Sequence, residues 1–324
     1  MTANNTRPEN NAYDTVIIGG GPAGLTAGIY NARARAKTIL LESPAITSQI
    51  AITDSLENYP GFVQPINGFT LIDNLKKQAV HFGLQIQSDQ VTALKETDCK
   101  EKSCWQINTE NNSFQSFSVI IASGARLRNL GVPGEKEFQG RGVSYCATCD
   151  GALFRNREIT VIGGGDTAIE EALFLTRFAN KVTIIHRRDR LRATRILQER
   201  ARANKKINFE LASFVTAIKG KQTVEAVSIR DAKTSQEKDL PCQGVFIFIG
   251  YTPNTGFARG IVDLDDKGYI LTGPEMTTSA KGIFAAGDCR QKRLRQVVTA
   301  AGDGATASWA AQQYVDELKG IAYK

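Results

Sequence analysis

The sequence predicts an α/β fold built twice: two Rossmann-like units of three layers each, the second inserted in the first. Three observations carry that expectation. The strand-and-glycine run Val16-Ile17-Ile18-Gly19-Gly20-Gly21 recurs as Thr160-Val161-Ile162-Gly163-Gly164-Gly165, 144 positions on (163 − 19). A chain of 324 residues has a prior of about two domains at roughly 150 residues each. Its 42% hydrophobic content and 29 glycines suit a globular protein with many strand-to-helix turns.

Residues 1 to 12 are Asn-rich and polar with no apolar centre, so they read as a flexible tail and not as a secretory signal. Residues 13 to 42 then make the first strand–helix–strand start. A short run rich in Val and Ile is a buried parallel strand, and the glycines after it open a helix. The first N–H groups of that helix and its dipole favour an anion, while glycine allows the tight turn and the close approach of a pyrophosphate. Gly19, Gly21 and Gly24 fill the three glycine places, with Pro22 and Ala23 between them; in the second copy the places belong to Gly163, Gly165 and Ala168, with Asp166 and Thr167 leading the helix.

The end of the next strand separates the two copies. Lys37 to Leu41 ends in Glu42, 23 positions after Gly19 (42 − 19), where a carboxylate can accept from a ribose diol. Val182 to Ile185 ends in His186, again 23 positions after its glycine (186 − 163), and Arg187 and Arg188 follow. A carboxylate would repel a ribose 2′-phosphate, and guanidinium groups can grip it. Copy two therefore reads as an NADP(H) site and copy one as a site for FAD or NAD.

Farther along, Leu71 to Phe82 has helical spacing, and 89 to 121 alternates short strands with polar turns such as Glu110-Asn111-Asn112. Ser118 to Gly124 closes the first unit as a buried strand, and Gly131-Val132-Pro133-Gly134 reads as the crossing segment. The second unit repeats the plan, with strands near 207 to 230 and a closing strand from Val245 to Gly250. Residues 251 to 324 are too few for a domain of their own. Their strand-like Gly282 to Asp288 and alanine-rich helical stretch from Gln296 to Leu318 are expected to return to the first unit. The domains expected are thus 13–124 with 251–324, and 125–250 inserted between them.

The formal charge of +7 raises the question of a nucleic-acid partner. Much of it lies between Arg187 and Arg202, without the interleaved aromatics of a stacking platform, so no nucleic acid is expected. No apolar run approaches the roughly 20 residues that span a bilayer. No membrane span and a cytoplasmic location are expected.

Between the two glycine turns stands Cys146-Ala147-Thr148-Cys149-Asp150. Two cysteines with two residues between them can close a disulfide, and either thiolate can attack an external disulfide through a mixed disulfide. Asp150 could carry the proton that a leaving thiolate needs. The competing reading is half of a zinc site. It would need another close ligand pair, and Cys99, Cys104, Cys242 and Cys289 make no second such pair, while His81 and His186 lack ligand spacing. No metal is expected. Cys99 and Cys104 could pair or bind a metal but read as incidental, and Cys242 and Cys289 read as packing residues beside apolar strands. His81 reads as structural, and Trp105 and Trp309 as core or interface anchors.

These motifs resemble the low-molecular-weight, bacterial-type thioredoxin reductases over nearly the whole chain after the tail. The resemblance rests on Cys146 to Gly151, the loop Gly163 to Ala168 with Glu170-Glu171-Ala172, His186-Arg187-Arg188 with Arg192, Gly287-Asp288-Cys289, Glu57 to Gly61, and Arg295-Gln296. It implies NADPH-dependent reduction of thioredoxin disulfide, with FAD in the first domain, NADPH in the inserted one, and a homodimer. Gly19 to Gly24 would hold the FAD pyrophosphate and Glu42 its adenosine ribose. Gln49, Asn58, Val91, Gly287, Asp288, Arg295 and Gln296 would hold the rest. Gly163 to Thr167 would take the NADPH pyrophosphate, and Arg187, Arg188 and Arg192 its 2′-phosphate, with His186 at the edge. Cys146 and Cys149 would be the redox pair and Asp150 the acid/base. The chain departs from the family pattern at Thr47-Ser48, where two glycines usually precede the position of Gln49. Two other readings are a related flavin enzyme using ferredoxin or oxygen, against which the paired arginines argue, and a nucleotide-binding redox sensor without turnover.

Overall fold

The computed structural model describes residues 12–44, 48–52, 56–99 and 102–322. The chain divides into two compact units, one formed by the segments up to Arg126 and from Thr252 onward, the other by Leu127–Tyr251. In chain order the elements are β1 (Tyr13–Ile18), α1 (Pro22–Arg33), β2 (Thr38–Glu42), α2 (Gly68–His81), β3 (Gln85–Ser88), β4 (Val91–Cys99), β5 (Lys102–Thr109), β6 (Ser113–Ile121) and β7 (Ala125–Leu127). Then come β8 (Val143–Ser144), α3 (Ala147–Asp150), β9 (Glu158–Gly163), α4 (Asp166–Leu175), β10 (Lys181–Ile185), α5 (Arg195–Ala203), β11 (Ile207–Glu210), β12 (Ser213–Gly220), β13 (Val224–Asp231), β14 (Glu237–Pro241) and β15 (Gly244–Phe248). The chain ends with β16 (Tyr251–Pro253), β17 (Ile283–Ala285) and α6 (Val297–Lys319). Each crossing of the chain between units contributes one strand to a two-stranded ladder of β7 and β16.

In the first unit β1 pairs in parallel with β2 and β6, β2 with β3, and β6 with β17. β4 and β5 form an antiparallel meander that joins the N-terminal half of β6. Alternation along a strand sends neighbouring side chains to opposite faces. Ile17, Leu40, Ile120 and Phe284 accordingly pack under α1 and α6, whereas Val16, Ile18, Ile39, Leu41, Val119 and Ile121 pack against Leu94, Trp105 and Ile107 of the meander. Both faces of the central strands are therefore buried, which is why they read as unbroken apolar runs.

The second unit repeats this plan. Its parallel sheet runs β11-β10-β9-β15-β8, and β12-β13-β14 is the meander. Val161, Ile184 and Phe246 face α4 and its neighbours, while Ile162, Ile185 and Ile247 face Ile218, Val227 and Ile229 of the meander. The two units differ in where the strand beside the closing strand comes from. In the first it is β17, drawn from the far end of the chain; in the second it is β8, which precedes the glycine turn.

The expected α/β fold of two Rossmann-like units is what the chain forms. Two details differ from the sequence reading. Gly131 to Gly134 is not the crossing: Pro133 accepts the Ile218 N–H, and a Cβ on Gly134 would lie 2.0 Å from the Ile218 carbonyl oxygen, so this segment lies on β12 within the second unit. Cys99 and Cys104 are not incidental but joined by a disulfide at the tip of the β4–β5 hairpin, with Cα atoms 5.8 Å apart. Most of the tail expected at 1 to 12 lies outside the described residues.

Candidate active site

Each unit carries a glycine turn of the same construction. Gly19 has φ +117°, and a Cβ there would stand 2.3 Å from the carbonyl oxygen of Ala122 beyond β6. Gly163 has φ +152°, and its Cβ would stand 2.3 Å from the Phe248 carbonyl oxygen at the end of β15. Only glycine fits either place, because the backbone is left-handed and the neighbouring strand is too close. Gly24 lies against the Gly19 carbonyl oxygen, where a Cβ would come within 1.9 Å, and Ala168 fills the matching place in copy two. The middle glycines face the residues that distinguish the copies. A Cβ on Gly20 would meet Glu42 Oε2 at 2.6 Å, and one on Gly164 would meet His186 Nδ1 at 2.5 Å.

Gly21 and Gly165, the last glycines of the two Gly-Gly-Gly runs, differ from Gly19 and Gly163, since nothing crowds them. Around a Cβ on Gly165 there is open space, and on Gly21 the nearest side-chain atom would be Ser48 Oγ at 3.6 Å. Gly21 and Gly165 cap α1 and α4 in extended conformation, and neither helix has a side-chain cap among the described residues. The helix N–H groups are thus left to a ligand on that side. Pro22 is the first residue of α1, where its missing N–H costs nothing, and Ala23 is buried beneath the turn.

Around the first turn the fold gathers distant residues. Glu42 ends β2 and receives Lys76 Nζ at 2.7 Å. Asn58 Nδ2 donates to Gln296 Oε1 at 3.0 Å, across 238 positions of sequence. Gln49 donates to the Ala125 carbonyl oxygen. Val91 opens β4 and is buried in the meander-side core. Gly287, with φ +76°, packs its backbone against Ala23, and Asp288 follows it in a short turn. Burial pushes the Asp288 carboxyl above the usual carboxylate range, with Lys292 and Arg295 pulling it back. Asp288 Oδ1 and Arg295 Nε are buried without a hydrogen-bond partner, and the Arg295 guanidinium sits 4.2 Å from the centre of the Tyr269 ring. Unpartnered buried polar atoms of this kind call for a bound group to satisfy them.

In the second unit the loop after β10 folds back over its glycine turn. The Arg192 and Ala193 N–H groups both donate to the Gly164 carbonyl oxygen, and Asp166 Oδ1 accepts the Thr194 N–H at 2.6 Å. Asp166, expected beside the pyrophosphate, thus also holds the loop that carries Arg192. Thr167 Oγ1 lies 3.2 Å from the Tyr251 hydroxyl. His186 is buried, and desolvation first, then Arg192, Arg188 and Arg187, lower its pKa, so the imidazole is neutral near pH 7. Its Nε2 has no partner, and Arg187, Arg188 and Arg192 are exposed around it. Arg195, Arg200 and Arg202 lie on the exposed face of α5, as the sequence suggested.

Cys146 is disulfide-bonded and half-buried just ahead of α3. The side chain of Cys149 lies outside the described residues. Ser144 Oγ accepts the Cys146 N–H at 3.0 Å, and the Cys146 carbonyl accepts from Asp150 N–H, so the turn is closed on itself. Thr148 Oγ1 is buried without a partner, and Asp150 is half-buried. Cys242 and Cys289 are buried free thiols, each pushed up to about 11 by desolvation, which suits packing and not exchange. Among the described residues no group of His, Cys, Asp or Glu is placed to hold a metal ion, and no helix is long and apolar enough to cross a membrane.

Three residues of this surrounding were not read from the sequence. Asp303 on α6 accepts the Gly287 N–H and both Arg290 and Lys292. Glu135 is buried and accepts the Leu130 N–H and the Tyr145 hydroxyl, each at 2.6 Å, in the residue next to Cys146. Burial, then that hydrogen bond, raises the Tyr145 phenol. For Asp303 a signal existed: it follows Gln296 by seven positions, two helical turns, and so shares its face.

The sequence profile of the pyridine nucleotide-disulphide oxidoreductases matches residues 13–304, and the chain belongs to that family. Within it, the thioredoxin reductase of Treponema pallidum (strain Nichols) is 48% identical over 307 residues, covering 95% of this chain and 98% of that one. The solved Lactococcus lactis thioredoxin reductase, in its FR conformation, aligns with a TM-score of 0.90 at 45% identity over 94% of this chain and 99% of its own. That of T. acidophilum aligns at 0.88 and 31% identity over 95% and 99%. The likeness read from the motifs therefore holds.

Proposed function

We propose that the protein is a thioredoxin reductase, moving two electrons from NADPH to the disulfide of thioredoxin through FAD and the Cys146/Cys149 pair. One observation carries the reading: a disulfide-bonded Cys146 and an exposed triple-arginine cluster around a neutral histidine belong to the same compact unit. FAD, when bound, supplies the two-electron chemistry that links a nicotinamide to a disulfide.

The chain's own residues do the rest. The uncapped start of α1 and Gly19 to Gly24 would hold the FAD pyrophosphate, Glu42 the ribose, and Gln49, Asn58, Val91, Asp288, Arg295 and Gln296 the remainder. The open cradle at Gly165 would receive the NADPH pyrophosphate, and Arg187, Arg188 and Arg192 its 2′-phosphate. Once reduced, one thiolate of the cysteine pair attacks a sulfur of the thioredoxin disulfide, breaking that bond and forming a mixed disulfide. The second thiolate displaces thioredoxin, re-forming the internal disulfide, while Asp150 supplies a proton to the leaving thiolate. The two electrons delivered equal the two taken from NADPH. A homodimer and a cytoplasmic location belong to the same reading, and Trp309, half exposed on α6, suits an interface anchor.

The test is an anaerobic titration. The purified protein should be yellow, lose its flavin absorbance on addition of NADPH, and then generate two thiols per oxidised thioredoxin added. Protein that stays colourless after reconstitution with FAD, or keeps an oxidised spectrum in excess NADPH, would overturn the reading.

A further inference from the structure

The turn from Gly287 to Lys292 is tied to α6 by a single carboxylate. Asp303 Oδ2 accepts the Gly287 N–H at 3.0 Å and Lys292 Nζ at 2.7 Å, and Oδ1 accepts Arg290 Nη1 at 3.0 Å. All three side chains are nearly buried: 11% of Asp303, 15% of Arg290 and 9% of Lys292 is exposed. Arg290 is held a second time through Nε to Thr272 Oγ1 at 2.8 Å. The clamp therefore fixes both ends of a turn that carries Asp288, the residue with an unpartnered buried oxygen. The same turn rests on the beginning of α1, because Gly287 touches Ala23 and Gly304, one residue after Asp303, would put a Cβ 2.1 Å from the Ala23 carbonyl oxygen.

Charge is the second consequence of the clamp. Arg290, Lys292 and Arg295 bring three cations around Asp288 and Asp303. Lys292 and Arg295 act on Asp288 with one sign and Asp303 with the other, so the charge of Asp303 is felt at the Asp288 carboxyl. Burying such cations without a counter-charge would be costly, and the Asp303 carboxylate satisfies two of them, Arg290 and Lys292.

Resting on the FAD reading above, we propose that Asp303 is a positioning residue for the flavin: it holds Asp288 in place and sets the charge felt by the bound isoalloxazine. Replacing it by Asn keeps the shape and removes one negative charge from a mostly buried cluster. The reduced flavin, which carries more negative charge, gains from that loss.

The experiment measures the flavin equilibrium against a reference dye by anaerobic spectroscopy on the flavin-loaded protein. In Asp303→Asn the ratio of reduced to oxidised flavin at a fixed potential should rise about tenfold, which is about 30 mV for a two-electron couple. The double variant Asp303→Asn with Lys292→Met should return it toward the parent value, a restoration that a loosened fold would not give. If Asp303→Asn cannot be isolated with flavin, Lys292→Met alone reads the same field with the opposite sign, about tenfold toward the oxidised form. A shift under twofold in both single variants, or shifts of equal sign, would overturn the proposal. Failure of the parent protein to bind FAD would instead overturn the reading on which it rests.

Discussion

The two glycine turns share a backbone and differ in what stands over it. In both Gly-Gly-Gly runs, 19–21 and 163–165, the first glycine is required by the neighbouring strand, the middle glycine by the residue at the end of the second strand, and the third by nothing in the protein itself. Yet that second-strand residue is a carboxylate held by Lys76 in one unit and a buried neutral imidazole ringed by arginines in the other. The repeat thus separates two kinds of constraint. Glycines one and two answer to packing; the third, and the residue facing the second, answer to the ligand.

Breaking the shared part should have the largest effect. Gly19→Ala and Gly163→Ala each force a methyl into a carbonyl oxygen with the backbone left-handed, at a cost of more than about 3 kcal/mol. Loss of soluble, flavin-loaded protein is expected, read by absorbance ratio after gel filtration. Gly165→Ala meets open space at an ordinary extended φ, so its melting temperature should stay within about 2 °C while NADPH binding weakens at least tenfold. A stability loss in Gly165→Ala equal to that in Gly163→Ala would erase the distinction.

Next comes the part that differs. Arg187→Ala combined with Arg188→Ala removes two charge-assisted contacts at about 1.5 to 3 kcal/mol each, so the KM for NADPH should rise about a hundredfold or more. The KM for NADH, which lacks the 2′-phosphate, should change less than about threefold. Equal rises for both nucleotides would show that these arginines do not read the phosphate.

The smallest effect concerns the imidazole. Because the folded pKa of His186 lies below its ordinary value of 6.5, the unfolded chain binds the extra proton more readily. The stability this histidine contributes is full above about pH 6.5 and is lost as the pH falls through that value. Urea midpoints measured from pH 7.5 down to 5.5 should therefore drop more steeply for the parent than for His186→Gln. Parallel slopes would mean that burial does not keep this side chain neutral.

Much of this arrangement could be read before the structure. Strong periodic signals placed β2, β9, β10 and α6 to within a residue or two, because their apolar runs and glycine punctuation are local. Glu42 and His186 were legible for the same reason, each being fixed by its distance from a glycine. What stayed hidden depends on long-range closure. Asn58 meets Gln296 across 238 positions, and neither residue type announces such a partner. β14 reads as a charged, polar stretch since it is an edge of the meander, with Glu237, Lys238 and Asp239 exposed. Asp303 looks like a solvated charge in an alanine-rich helix until the 287–292 turn is laid over it. The Cys99–Cys104 link was within reach of its spacing, but spacing alone could not separate it from chance.

The origin of one strand in each sheet has a temporal consequence. As the nascent chain leaves the ribosome, every strand of the second unit's sheet has emerged once residue 248 is out, and that unit can complete itself. The first unit began earlier but must wait, one edge of the C-terminal end of β6 unpaired and one side of its sheet bare, until β17 and α6 arrive. Synthesis order and completion order are therefore reversed, and the half made first is the half that most needs shielding while translation finishes.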